Sequence, residues 1–349
     1  MARDVAAAKA EIIAALQERE AAHPSPVPAP AESVARFAAS VAEDPALAVA
    51  RDRLLAQDFT GATIAVSAAA EKGPQAGSES ASREAQLWRD LGLLESGRSV
   101  AAAIGAFEKA RDLDPLDFGT LVFLRRLYQA AGNLEKARRA AEAGFAAAPD
   151  DRSRSVAFNE LGDVNASEGN LAAARKAFED GLAIRKELRG RDPNNTGWLR
   201  DLSVSYDRLG DVNVSEGNLA AARQAYEDGL AIAQELRGHD PNNAGWLRDL
   251  SVSFNKLGDV NVSEGNFPAA REAYENGLAI AQELRARDPD NTGWQRDLPV
   301  SFNKLGDVNV REGNLPAARK AFENGLAIRK ELRGRDPNNT GWLRDLSVS

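Results

Sequence analysis

The string Leu-Gly-Asp-Val-Asn begins at Leu161, Leu209, Leu257 and Leu305, a fixed step of 48 residues. Around it sits one long unit. Asp-Pro-Asn-Asn leads into Gly-Trp-Leu-Arg-Asp-Leu-Ser-Val-Ser, then the shared string, then Ser-Glu-Gly-Asn-Leu-Ala-Ala-Ala-Arg and Gly-Leu-Ala-Ile. Residues 194–241 and 242–289 differ at ten of their 48 positions. Repetition this close demands that each block bury its apolar face on the next, which is a stacked, quasi-one-dimensional array.

Each block reads as two helices. In the block from 242, Trp246, Leu247, Leu250, Phe254 and Leu257 recur at three- and four-residue steps and share one stripe with Gly258. Asp240-Pro241 stops the preceding helix, and Asn243 is placed to cap the new one. Gly265-Asn266 breaks the chain. The second helix then aligns Ala269, Ala270, Ala273, Tyr274, Gly277, Leu278, Ile280 and Leu284, ending before Asp288-Pro289. Gly258, Ala270 and Gly277 are the small residues that close helix approach requires.

These residues resemble the tetratricopeptide repeat. Leu121, Leu124, Tyr128, Gly132, Ala137, Ala141, Gly144 and Pro149 follow the family pattern, and Pro115 and Pro149 are 34 residues apart, the family period. The unit before supplies Trp88, Leu91, Gly92, Ala103, Phe107, Ala110 and Pro115. The resemblance covers residue 84 to the end and implies an all-α, right-handed superhelical solenoid of antiparallel helix pairs. The long units depart from the family by seven extra residues between Leu230 and Pro241 and seven more between Pro241 and Leu257. Seven residues are about two helical turns, so each helix lengthens with its buried face in phase. In this they are similar to the lengthened repeats of the kinesin-light-chain type. Trp198, Trp246, Trp294 and Trp342 sit in the added turns and are expected to fill space between repeats. Pro299 replaces the Ser of 203, 251 and 347; it is expected to kink its helix or to mark its true start, leaving Trp294 in a separate short helix.

The array divides into an N-terminal helical capping segment (1–83), two family-length units (84–149), four long units (150–337) and the start of a truncated repeat (338–349). Residues 3–22 read as an Ala-rich helix, 23–30 as a stiff Pro-rich linker and 31–72 as three further helices, with Phe59, Ala62, Val66 and Ala69 like a decayed repeat half. Gly73–Ser82 reads as a polar loop. The plain role of this segment is to cover the first repeat; its rival is a docking helix over 3–22. At the other end the chain stops at Ser349, with Trp342, Leu343 and Leu346 already placed. A cut there leaves an apolar face open, so the chain is expected to be part of a longer one, or its end to be covered by another copy.

Composition narrows the chemistry. The 349 residues carry a net charge of −8, no Cys, and two widely separated His, His23 and His239. That excludes disulfides and thiolate sites, and it argues against a multi-His metal centre and against a general nucleic-acid binder. No apolar run reaches the ~18 residues of a membrane span, and charges break the apolar positions of the N-terminus, so a cytoplasmic chain is expected. No nucleophile elbow or phosphate loop is present. Asp288–Gly293 begins like a calcium loop, but Pro299 stands at the twelfth position, so capping is the reading. No enzyme, metal or cofactor is expected.

A repeated surface remains. Opposite the buried stripe, the first helix carries Arg248, Val252, Asn255, Lys256, Asp259, Val262 and Ser263. In the family this stripe lines the concave groove. Ladders run Arg200, Arg248, Arg296 and Arg344 near one rim, and Asp163, Asp211, Asp259 and Asp307 deeper along the helix. Between them lie Asp207, Asn255 and Asn303 with the cations Arg208, Lys256 and Lys304. A groove with basic and acidic bands separated by Val suits an extended peptide or helix of mixed charge. The plain alternative is that the bands pair with each other and stay solvated. The family's carboxylate clamp is rejected, because Asp259 and Asp307 stand where a clamp Asn would be. Asn165, Asn213, Asn261 and Asn309 replace the family's buried Tyr and are expected to form a ladder of amides between helices.

The expectation is a protein-interaction scaffold for a protein or peptide partner. The resemblance adds an alternative, since such arrays in bacteria are often the sensing arm of larger signalling or defence enzymes. Self-assembly through the C-terminal repeat face is the third reading.

Overall fold

The computed structural model describes residues 2–22, 31–71, 78–96, 98–289 and 291–335. Among these every regular element is a helix, and the chain divides into two compact units, 1–168 and 169–349.

The first unit begins with α1 (Ala2–Ala22), α2 (Ala31–Glu43), α3 (Ala48–Leu55) and α4 (Phe59–Glu71). Ile12 of α1 is fully buried in one cluster with Phe37, Val41, Leu54 and Val66, so α1 packs onto the helices that follow it. Next come α5 (Ser78–Ser96), α6 (Val100–Leu113), α7 (Phe118–Ala130), α8 (Leu134–Ala147) and α9 (Asp151–Ser167). Residues 78–82, expected in a loop, are the first turn of α5, and residues 73–77 of that expected loop lie outside the described residues. Phe107 stacks on Phe123 at 4.9 Å between ring centres, joining α6 to α7. The buried guanidinium of Arg125 meets Glu160 and Asp163 of α9, and Arg126 adds a 2.5 Å contact to the same Glu160. The linker over 23–30 lies outside the described residues.

The second unit is built from α10 (Leu171–Arg191), α11 (Thr196–Ser215), α12 (Leu219–His239), α13 (Ala244–Ser263), α14 (Phe267–Arg287), α15 (Thr292–Arg311) and α16 (Leu315–Arg335). Helices α11 and α12 have 20 and 21 residues against 13 and 14 for α7 and α8, so each gains seven, the two turns read from the spacing. Asn195, Asn243 and Asn291 cap the first helix of each pair, accepting from the backbone N–H of Trp198, Trp246 and Trp294 at 3.1–3.2 Å. Between paired helices, Gly217, Gly265 and Gly313 take φ near +79°, the left-handed turn that only glycine adopts without strain.

Packing follows the stripes. Leu230, Ala233, Leu247, Leu250, Ile280 and Leu284 form one cluster drawn from α12, α13 and α14, and Trp294 of the next helix closes it. Trp246 closes the equivalent cluster of Leu182, Leu199, Leu202, Ile232 and Leu236. Trp246 and Trp294 therefore fill space between repeats, as their place in the added turns implies; Trp342 lies outside the described residues. Gly258 faces the ring of Tyr274, which is 3% exposed.

Two expectations need correction. Helix α15 runs unbroken from Thr292 to Arg311 with Pro299 inside it, so Trp294 belongs to the same helix and not to a short separate one. The Asn291 cap and the Leu298 and Trp294 contacts outweigh the single backbone bond that a proline removes. The amide ladder does not form either. Asn213, Asn261 and Asn309 each donate to a carbonyl of their own helix, those of Leu209, Leu257 and Leu305, at 2.7–2.8 Å. Bonding back by one turn satisfies a buried amide without waiting for a neighbour.

Candidate functional site

Helices α11, α13 and α15 lie side by side, each contacting the next across the second helices of their pairs. Their stripes opposite the core form one face. Val204, Val252 and Val300 form a row along it, 37%, 41% and 48% exposed. Val214 and Val310 are also exposed at a second level of the same face.

The charged residues flanking this row are tied from repeat to repeat. Arg200 Nε donates to Asp249 and Arg248 Nε to Asp297, both at 2.7 Å. These bonds raise the arginine pKa values above the ordinary one. Lys256 meets Asp211 at 2.5 Å and Lys304 meets Asp259 at 2.6 Å. The same two aspartates accept from the hydroxyls of Tyr226 and Tyr274, each at 2.7 Å. Burial and then the neighbouring aspartates push both phenols well above their ordinary range. The bands read from the sequence are thus not free. Arginine pairs forward with an aspartate that the sequence reading missed, and lysine pairs back with the deeper aspartate. Each exposed pair contributes only ~0–1 kcal/mol, so together they fix side-chain positions more than they stabilise the fold.

Of the other candidates, Arg208 lies half-buried on α11, and Asn303 accepts from Arg329 at 3.4 Å. Phe322 stands where Asp307 would need a tyrosine, so Asp307 lacks the phenol bond of Asp211 and Asp259. The side chain of Arg296 and all of Arg344 lie outside the described residues. Asp207 and Asn255 behave differently from the rest. In each, Oδ1 is buried and has no hydrogen-bond partner among the described residues. Burial pushes the Asp207 carboxyl up to about 7, against the pull of Lys256. Beside Asn255 opens a cavity of about 240 Å3, lined by Ala281, Leu284, Trp294, Asp297 and Val300 among others. No group of three or more metal-binding side chains occurs among the described residues, and no helix there is long and apolar enough to cross a membrane.

Family models for the tetratricopeptide repeat match residues 93–157 and 156–195. This chain contains tetratricopeptide repeats. The long units beyond 195 extend the same helix-pair plan. Among solved structures, BtubC (BKLC) from P. vanneervenii is 20% identical, covers 68% of this chain and 91% of its own, and has a TM-score of 0.54. The apo form of RapI is 12% identical, covers 90% of this chain and 84% of its own, and has a TM-score of 0.58. A putative kinesin light chain from Podosopora anserina, with nearly identical TPR-like repeats, is 21% identical over 63% of this chain and 97% of its own, at a TM-score of 0.48. These likenesses concern the fold. No curated protein sequence matches the chain.

Sequence reasoning missed Asp249 and Asp297, although their signal was present. An Asp recurs at 201, 249 and 297, one residue after each rim arginine, and a 49-residue separation is one repeat plus one position. It also missed the alternation at 185, 233, 281 and 329, which reads Arg, Ala, Ala, Arg.

Proposed function

We propose that this protein is a non-catalytic interaction scaffold, and that the face of α11, α13 and α15 takes an extended peptide or a helix from a protein partner. The exposed valine row carries this reading. Three equivalent apolar side chains in register, on a face whose flanking charges are already held in place, offer an apolar strip with little left to order on binding. Burying a valine is worth ~1.5 kcal/mol or more. The paired charges along the strip supply register and partner choice more than affinity. Arg200, Arg248, Arg296, Asp207, Arg208, Asp211, Asn255, Lys256, Asp259, Asn303, Lys304 and Asp307 belong to this proposed surface.

The test is capture from native cell extract on the immobilised full chain. Val204→Asp, Val252→Asp and Val300→Asp combined should remove the captured partner while the helical circular dichroism stays unchanged. Undiminished capture by the folded triple variant would place the binding surface elsewhere.

A further inference from the structure

The repeats serve as comparison structures for one another. At the position that reads Arg185, Ala233, Ala281 and Arg329, the two arginines turn inward. Arg185 is 4% exposed; its Nη1 donates to the carbonyl of Asp201 at 2.7 Å and to the hydroxyl of Ser205, both on α11. Arg329 reaches the other way, to Oδ1 of Asn303 on α15. The arginine position thus lies between acceptors on the preceding and following first helices.

Where alanine stands, the acceptors stay and the donor is gone. At Ala281 the preceding-helix acceptor is Asn255 Oδ1, buried and unpartnered; Asn255 and Ala281 both line the cavity of about 240 Å3, whose lining also includes Arg248, Lys256, Lys304, Asp259 and Asp297. A single water needs only ~10–15 Å3 of such volume, so a long side chain has room. At Ala233 the equivalent acceptor is Asp207 Oδ1, likewise buried and unpartnered, and here it belongs to a carboxylate. The serines report the same loss. Ser205 accepts from Arg185, whereas Ser253 and Ser301 turn back to carbonyls of their own helices, those of Asp249 and Asp297. The cavity is bordered by Val252 and Val300, so it opens onto the valine row.

We infer that the places beside Ala233 and Ala281 are sockets for arginine side chains of an extended partner segment, each guanidinium taking the position that Arg185 and Arg329 fill from within the chain. This rests on the peptide-binding reading of the valine face and names the chemistry it selects. Arginine fits better than lysine, because its flat fork of donors can serve a side-chain oxygen on one wall and a carbonyl or hydroxyl on the other.

A random peptide library displayed on phage and panned on the intact chain tests this. Selected peptides should be rich in arginine. Replacing their arginines with citrulline, which keeps the shape and loses the charge, should weaken binding at least about tenfold. The variants Ala233→Arg and Ala281→Arg supply the missing side chain internally, as two native repeats do. Together they should remove binding of the arginine peptides while leaving the thermal midpoint within about 5 °C of the parent. Should these variants melt lower than that, citrulline replacement in the peptide decides alone, with the protein unaltered. Selected peptides that need the valines but show no arginine preference and bind the Ala233→Arg/Ala281→Arg protein equally well would overturn the sockets and leave the groove reading standing. Peptides unaffected by the valine-to-aspartate variant, or no enriched peptide at all, would contradict both.

Discussion

Gly258 is where the packing of the repeats can be tested most sharply. A Cβ built there lies 2.3 Å from Cε1 of Tyr274, 2.5 Å from Cδ1 and 2.8 Å from Cζ. Comfortable carbon contacts are ~3.5–4.0 Å, so the ring would have to retreat by more than an ångström. It cannot do so freely, because the ring is buried and its hydroxyl is held at 2.7 Å by Asp259. Overpacking of this kind costs ~1–3 kcal/mol. Alanine also favours a helix over glycine by up to ~1 kcal/mol, which partly hides the loss. Gly238 separates the two effects. It lies in α12 with nothing within 4 Å of its Cβ position, and the next repeat already carries Ala286 there. Gly258→Ala should therefore melt below Gly238→Ala by roughly 2–12 °C, taking ~2–4 °C per kcal/mol for a unit of this size. Circular dichroism at 222 nm reads it. The double variant Gly258→Ala/Tyr274→Leu should lose less than the sum of the two single variants' losses, since the smaller side chain relieves the clash. A Gly258→Ala protein that melts at or above Gly238→Ala would refute the close-approach reasoning.

Three further outcomes follow from named contacts. Pro299→Ser restores a backbone N–H inside α15 and a hydroxyl that can reach the carbonyl of Gly325, as Ser203 and Ser251 reach Gly229 and Gly277; it should stabilise by ~1–3 kcal/mol, read as a higher urea midpoint at an unchanged slope. Leu247→Ala empties a fully buried position and should destabilise by ~2–5 kcal/mol in the same assay, whereas Val252→Ala on the exposed face should stay within ~0.5 kcal/mol. Asp90 is fully buried, accepting from Ser40 and Gln86, and burial pushes its carboxyl up to about 7. Its folded state holds the proton more tightly than the unfolded chain does, so its contribution is full below about pH 4 and is lost as pH rises through about 7. Asp90→Asn should flatten that decline and raise the urea midpoint at pH 8; an identical slope in parent and variant would remove Asp90 as its source.

What the sequence made legible was whatever repeats. Helix pairs, caps at Asn195 and Asn243, the seven-residue lengthening and the inter-repeat tryptophans all follow from spacing, because a stripe at helical period has one way to be buried. The failures were local contests between two bonding options. Asn213, Asn261 and Asn309 had a carbonyl one turn away and took it, and no pattern reveals that preference over a cross-helix amide. Of the two readings of Pro299, a kinked helix or a helix start, the second fails, because tertiary packing around Leu298 and Trp294 carries the helix through it. In the groove, pairing of the charged bands was one of the two readings the stripe allowed, but which residues pair was not legible. Arg200 and Asp249 are 49 residues apart, so their contact depends on how one repeat sits on the next, a rotation that a single repeat does not encode. The substitution of alanine for arginine at 233 and 281 was visible in the alignment of repeats, but only the neighbouring structure gives it meaning.

The most direct measurement places a photo-crosslinking phenylalanine analogue at Val252, in the valine row, and in a second protein at Glu272, exposed on α14. Irradiated in native cell extract, the Val252 protein should form a covalent adduct with the partner, and the Glu272 protein should form none. Equal yields from both, or an adduct from Glu272 alone, would contradict the assignment of the α11, α13 and α15 face as the binding surface.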